Sequence, residues 1–212
     1  MHYVYWFRKD LRLTDNRALS SFINSVTKED TYSFLYIKNK SSFKYFGEKR
    51  VSFLFESLRE LKEELKENSF KLQIAEGNSS EIFEKILYEF KNISLFINEQ
   101  SEPYCIGRDN KIKDLIEKNG GNYNSFSDTT LFRFGEIKNG DGLQYKVYTP
   151  FKNQALKIIS NEHYDKAECK FSKLNPENEK IFSSLREYEF ETEYNKLSKS
   201  DILKGGRKNG IG

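Results

Sequence analysis

The most chemically loaded stretch of the chain is Arg8-Lys9-Asp10-Leu11-Arg12-Leu13-Thr14-Asp15-Asn16, where Arg8, Asp10, Arg12 and Asp15 alternate in sign around two leucines. Guanidinium and carboxylate groups so spaced can tie the loop to neighbouring elements as a structural ion-pair network, or bind an anion through the arginines. Both readings stay open at this level. No glycine stands in this loop to let a backbone approach a pyrophosphate, and no G-x-x-x-x-G-K-[ST] occurs, so neither a dinucleotide dehydrogenase nor a P-loop enzyme is supported. The glycines at 205, 206, 210 and 212 lack the strand-to-helix setting that either motif requires. Cys105 and Cys169 form no C-x-x-C pair and have only His2 and His163 to help them, which argues against a disulfide framework or a zinc module. Cys105 reads as a small buried residue, and His163 has no orienting partner by sequence.

Alternating element types must position this loop. Tyr3 to Phe7 reads as a strand, followed by the charged loop and a helix capped by Asp15 or Asn16. Thr31 to Ile37 is the second strand, and Val51, Leu54, Phe55, Leu58, Leu61 and Leu65 recur at helical steps after it. Lys71 to Ala75 predicts a third strand and Gly77 a turn. Asn78 with Glu81 three residues on resembles a capping box before Ile82, Phe83, Ile86, Leu87 and Phe90. Ile93 to Ile97, a helix ending near Lys118 at Gly120-Gly121, and Asn122 to Phe126 complete the series. This rhythm predicts an α/β, Rossmann-like fold: a five-stranded, mostly parallel sheet with helices on both faces. Beyond Asp128, Asn139-Gly140-Asp141-Gly142 reads as a turn and Tyr145 to Tyr148 as extended, with a helix from about Phe151 to Ser160 after Pro150. Asn161 to Asp201 is polar and weakly periodic, which reads as an extended connector, and a short helical start is expected at 200–204. The expected division is 1–130 for the α/β domain and 131–212 for an extended run, a helix and the connector.

With 212 residues, 15% aromatic and 32% charged, the chain reads as a globular protein of one ordinary α/β domain with an appendage, or at most two small domains. Its net charge of +3 is too balanced to mark a nucleic-acid binder, and runs such as Lys62 to Lys66 read as solvated helix faces. No basic n-region with an apolar h-region opens the chain and no long apolar run occurs, so the expectation is a soluble, cytoplasmic protein without membrane contact.

The stretch Trp6-Phe7-Arg8-Lys9-Asp10-Leu11-Arg12-Leu13-Thr14-Asp15-Asn16-Arg17-Ala18-Leu19 closely resembles the opening signature of the DNA photolyase and cryptochrome family. Gly47 to Leu58, Asn98 to Asp109 and Tyr145 to Lys152 resemble further segments of that family in the same order, covering about residues 3 to 160 well. The resemblance implies an N-terminal antenna domain holding a reduced folate, a deazaflavin or a flavin. It further implies a separate helical domain that binds FAD, meets DNA and repairs pyrimidine dimers with light. The chain ends about where that helical domain would begin, so it is expected not to be catalytic alone, with FAD and DNA engaged only through the other domain. Trp6 is the only tryptophan and is expected in the core, leaving no tryptophan series for electron relay.

Folate-type members carry an Asn-Glu pair after the position matched by Pro103, where Tyr104 and Cys105 stand here. That departure resembles members using a deazaflavin, a flavin or no antenna. Arg8, Arg50, Glu102 and Tyr104, each placed after a strand, are the candidate chromophore-binding residues. Against this stand plainer roles: solvated charges at Arg50 and Glu102, and helix-start packing at Tyr104. An autonomous flavin-, deazaflavin- or nucleotide-binding module and a non-functional remnant are the alternatives to the split or truncated photolyase.

Overall fold

A computed structural model of the chain describes residues 1–39, 43–133, 135–160, 165–199 and 204–210. Strands β1 (His2–Phe7), β2 (Thr31–Lys38), β3 (Leu72–Glu76), β4 (Ile93–Asn98) and β5 (Asn122–Phe126) alternate with helices α1 (Arg17–Ser25), α2 (Glu48–Glu67), α3 (Ser79–Glu89) and α4 (Pro103–Lys118). The sheet order is β3-β2-β1-β4-β5, and all four pairings are parallel.

Strand periodicity divides the core in two. Tyr5 and Phe7 of β1 join Phe34 and Tyr36 of β2 on the face covered by α1 and α2, where Phe22, Phe55, Leu58 and Leu61 pack. Val4 and Trp6 point the opposite way, with Leu35 and Ile37, toward Phe83 and Ile86 of α3 and Ile112 and Ile116 of α4. Because both faces are covered, the central strands are apolar at nearly every position instead of alternating with polar residues. Phe22 sets the first core, its ring 5.4 Å from that of Phe34 and 5.7 Å from those of Tyr5 and Phe96.

Asn16, of the two residues expected to cap α1, does so by accepting the Leu19 N–H at 3.0 Å. Asn78 caps α3 through the Ser80 N–H at 2.9 Å. The Asn139–Gly142 turn forms as expected, closed by the Asn139 N–H on the Leu143 carbonyl at 2.8 Å. One boundary differs: α5 spans Tyr148–Ile158, so Tyr148 opens the helix and Pro150 lies in its first turn. Proline fits there because the first helical N–H groups have no intrahelical acceptor to lose. His163 and most of the short helical start expected at 200–204 fall outside the described residues.

The polar stretch after residue 164 is a strap laid on the sheet. Leu174, Phe182, Leu185, Phe190 and Tyr194 are buried and join the two cores. The Lys180 N–H donates to the Tyr32 carbonyl at 2.8 Å and the Tyr188 N–H to that of Ile74 at 2.7 Å. Gln73 exchanges hydrogen bonds with both the N–H and the carbonyl of Phe182. The Tyr188 contact, with the Ile74 N–H donating to Glu187, occupies backbone groups that edge strand β3 would otherwise leave open for pairing with another chain.

Glu179 marks where the strap meets the β2–β3 edge. Its carboxylate accepts the Lys71 N–H at 2.8 Å, and burial pushes its pKa up to about 7 from 4.5. The folded state therefore holds a proton that the unfolded state releases, so this residue's contribution to stability falls as pH rises from about 4.5 to 7. Glu179→Gln keeps an acceptor without the charge. It is expected to gain about 1 kcal/mol at pH 8, after discounting for partial solvent screening, and nothing at pH 4. Urea unfolding at the two pH values measures it, and equal effects at both would refute the assignment.

Candidate functional site

A cleft of about 520 Å³ opens at the carboxyl edge of the sheet. Trp6 and Arg8 reach it from the end of β1, Tyr36 and Ile37 from β2, and Gln100 from beyond β4. This is the point where chain order reverses, β1 lying between β2 and β4, and where open parallel sheets form their crevices. Helix α2 contributes Arg50, Phe53, Leu54 and Ser57, and α4 contributes Tyr104, Cys105 and Arg108. Phe43 and Phe46, just ahead of α2, extend its apolar surface.

Six basic residues line the cleft, Arg8, Lys9, Arg12, Arg50, Arg108 and Arg207, and no acidic residue does among those described. The carboxylates that answer them stand behind. Asp109 is buried and accepts from Arg8 Nη1 at 2.7 Å and from Arg108 Nε at 2.8 Å, so one negative charge serves two guanidiniums. Arg12 pairs with Asp128, and Arg8 also donates to the Asn98 carbonyl. Both guanidiniums that share Asp109 also lie over the Trp6 indole, with Arg8 Cζ 5.1 Å and Arg108 Cζ 4.9 Å from its centroid. Arg50 stacks over Phe46 at 3.8 Å, and Asn39 donates to the Tyr104 hydroxyl at 3.0 Å. Burial pushes the Cys105 thiol above its ordinary pKa, which keeps it protonated and unreactive near neutral pH.

Two donors in this lining are left over. Trp6 Nε1 and Arg8 Nε are buried and find no hydrogen-bond partner among the described residues. Buried polar atoms in folded proteins are nearly always paired, so two unpaired N–H groups on residues lining one cleft suit a ligand carrying acceptors. The cationic and aromatic lining suits a planar, anionic one.

Of the four residues expected from sequence, Arg8, Arg50 and Tyr104 meet in the cleft. Glu102 does not line it. It occupies the N-cap position of α4 and pairs with Lys9 in a smaller neighbouring depression, and that contact holds its carboxyl below the ordinary range. Trp6, Lys9, Arg108 and Arg207 are additional lining residues. Arg108 had a sequence signal, since it stands four residues after Tyr104 and so shares its helical face. Arg207 had none. The charged loop is the structural ion-pair network and part of the cleft at once: Arg8 and Arg12 serve both, Asp10 is buried beneath, and Asp15 accepts the Ala167 N–H at 3.2 Å.

Fold and site together define a doubly wound α/β domain with a cation-lined aromatic cleft at its switch point. The sequence matches the DNA photolyase family model over residues 3–170, and the chain belongs to that family, corresponding to its N-terminal α/β domain. The deoxyribodipyrimidine photo-lyase of Agrobacterium fabrum is 30% identical over 148 residues, 70% of this chain and 30% of that protein. That of Buchnera aphidicola from Acyrthosiphon pisum is 30% identical over 173 residues, 78% of this chain and 35% of that one. Mouse cryptochrome-1 is 33% identical over 119 residues, 55% of this chain and 19% of that protein. The chain thus spans about a third of the length of these photo-lyases. Among solved structures, an archaeal photolyase from Sulfolobus tokodaii superposes with a TM-score of 0.77 at 22% identity, covering 100% of this chain and 45% of its own. A class III photolyase from Agrobacterium tumefaciens does so at 0.65 and 23% identity, covering 99% and 37%. Among the described residues no helix is long and apolar enough to cross a membrane.

Proposed function

We propose that this domain binds a flavin-class antenna chromophore in the cleft between α2 and α4 and serves a helical FAD-binding domain in light-driven repair of cyclobutane pyrimidine dimers in DNA. In this reading residues 1–130 are the antenna domain, and 131–212 are the extended run, the helix and the connector toward the helical domain, with residues 174–194 strapping the core. The observation that carries the proposal is the pair of unsatisfied buried donors, Trp6 Nε1 and Arg8 Nε, on two residues that line an aromatic and basic cleft. Such donors fit ring carbonyl or phosphate oxygens, while Phe46, Phe53 and Leu54 fit the ring's apolar surface. When bound, the chromophore absorbs light and passes its excitation to FAD in the helical domain. Support comes also from the Sulfolobus tokodaii photolyase, whose crystal structure holds two FAD molecules and was taken to imply a novel light-harvesting cofactor. DNA contact and bond cleavage belong to the helical domain, so this chain under light should leave dimer-containing DNA unrepaired.

Titration with flavin mononucleotide, a deazaflavin and a reduced folate tests the reading, with Trp6 as the sole tryptophan and an internal reporter. Flavin and deazaflavin should quench Trp6 emission at one equivalent, and folate should bind more weakly. Arg50→Ala is expected to weaken flavin binding about tenfold through loss of a stacked cation. Absence of binding by all three chromophores would overturn the proposal.

An autonomous flavin carrier is the second reading. It is favoured by the strap, which completes the core and covers edge strand β3 within this chain. Restoration of repair on adding a helical domain distinguishes the two, since a carrier restores none.

A further inference from the structure

The segment 204–210 is held against α2 by a set of backbone and side-chain contacts. The Gly205 N–H donates to Glu56 Oε2 at 2.5 Å, the Gly206 N–H to Ser57 Oγ at 3.0 Å and the Lys208 N–H to Glu60 Oε1 at 2.9 Å. Asn209 closes the turn by donating to the Gly205 carbonyl at 2.7 Å. The approach requires glycine: a Cβ on Gly205 would run into the Phe53 carbonyl oxygen, and Gly206 has a φ of +104°. Ser57, which holds Gly206, also lines the cleft, as does Arg207 in the next position.

We propose that residues 204–210 form a docked wall of the cleft that delivers Arg207 to the phosphate of a flavin nucleotide, so that ligand binding and docking of this segment on α2 are coupled. This rests on the flavin reading above and adds to it a residue that selects for phosphorylation. Arg8 and Arg108 share Asp109, Lys9 pairs with Glu102 and Arg12 with Asp128, so much of the remaining positive charge rests on Arg50 and on Arg207, which also feels the Glu64 carboxylate. Arg50 stands on α2 itself, whereas Arg207 reaches the cleft only while the two glycines are docked. A guanidinium favours phosphate through paired charge-assisted hydrogen bonds. By linkage, a ligand that contacts Arg207 must stabilise the docked segment by the same factor that docking improves its affinity.

Flavin mononucleotide and riboflavin, which differ by one phosphate ester, are the probes, together with inorganic pyrophosphate. Each is titrated against the full chain by Trp6 fluorescence, with amide hydrogen exchange at Gly205 and Gly206 as the second readout. The mononucleotide should bind more tightly than riboflavin and slow exchange at both glycines. Arg207→Gln should weaken the mononucleotide about tenfold while leaving riboflavin unchanged. Gly205→Val should reproduce that loss by undocking, with no further loss when both changes are combined. Ser57→Ala, which removes one anchor and keeps helix α2, should give a smaller loss of the same kind. If both flavins bind and Arg207→Gln changes neither affinity, or if exchange is unaffected by the mononucleotide, the coupling is overturned and the flavin reading stands. If neither flavin binds but pyrophosphate does, with weakening by Arg207→Gln, the flavin reading fails and the phosphate wall stands. If no probe binds, both fail.

Discussion

Replacing Asn98 by alanine is expected to lower the unfolding free energy by about 3 to 5 kcal/mol, because three buried groups lose a partner at once. Asn98 Nδ2 donates to Asp10 Oδ2 at 2.6 Å and to Asn16 Oδ1 at 2.8 Å, and its Oδ1 accepts the Ala18 N–H at 3.2 Å. Tyr5 donates its single hydroxyl proton to Asp10 Oδ2 at 2.7 Å, its oxygen standing 2.9 Å from Asn16 Oδ1, and Asp10 Oδ1 accepts the Arg8 N–H at 2.9 Å. Tyr5, Asp10, Asn16 and Asn98 thus form one closed polar network inside the core, joining the end of β1, the charged loop, the start of α1 and the end of β4. Hydrogen bonds to a buried carboxylate contribute about 1.5 to 3 kcal/mol each, and an orphaned neutral group costs about 1 to 3. Asn98→Asp is the sharper variant. It preserves shape and the acceptor while exchanging the amide donor for a second carboxylate beside Asp10, and is expected to destabilise at neutral pH at least as much as alanine. Urea unfolding at pH 7 decides the matter, and a loss below about 1 kcal/mol for Asn98→Ala would contradict the network's role. Arg8 depends on the same network through its own N–H, so under the proposed function flavin affinity should fall in the surviving folded fraction.

Acidification is expected to remove about 3 to 4 kcal/mol through His2 alone. Its ring is stacked 3.8 Å from Phe90 and meets Phe182 of the strap edge-on at 5.5 Å. Nδ1 pairs with Thr31 Oγ1 at 2.9 Å and Nε2 with Ser33 Oγ at 3.1 Å. Burial is the main cause that lowers its pKa to about 3 from 6.5, against the opposing attraction of Glu89. The unfolded chain therefore binds a proton that the folded chain refuses. This stabilisation is full above about pH 6.5 and is lost as pH falls toward 3. Glu179 works in the opposite sense between about 4.5 and 7, so the two partly cancel in mildly acidic solution. The comparison belongs in the Glu179→Gln background. There His2→Phe keeps the ring stack, is less stable than its parent at pH 8 because Thr31 and Ser33 lose partners, and shows a shallower decline below pH 6.5. An unchanged slope would show that His2 does not carry the acid sensitivity.

Much of the scaffold was legible because strand and helix periods are local properties. Val4 and Trp6 against Tyr5 and Phe7 report two covered faces, Leu58, Leu61 and Leu65 report a helix stripe, and Asn16 and Asn78 announce helix starts within three residues. The strap was not legible as packed structure. Its buried anchors, Leu174, Phe182, Leu185, Phe190 and Tyr194, obey no period, since irregular chain meets the core wherever the sheet edge leaves space.

For the site, sequence reached residues that stand after strands or sit in a charged loop, and the structure brings three of them, Arg8, Arg50 and Tyr104, into one cleft. Glu102 does not line the cleft because a carboxylate at the N-cap position of α4 is drawn outward to Lys9, a choice made by side-chain reach and not by position along the chain. Arg8 and Asp109 are 101 residues apart, and no local rule pairs them.

What the sequence determined by itself is the α/β architecture, the family to which the chain belongs and the sheet edge at which a site must form. These rest on short-range periodicity and a long motif. The tertiary structure alone decided which charges are answered from behind, which donors remain unsatisfied and that Gly205-Gly206 brings Arg207 to the cleft. Those outcomes depend on desolvation and on distances between groups far apart in the chain, and both exist only once the sheet has brought its carboxyl ends together.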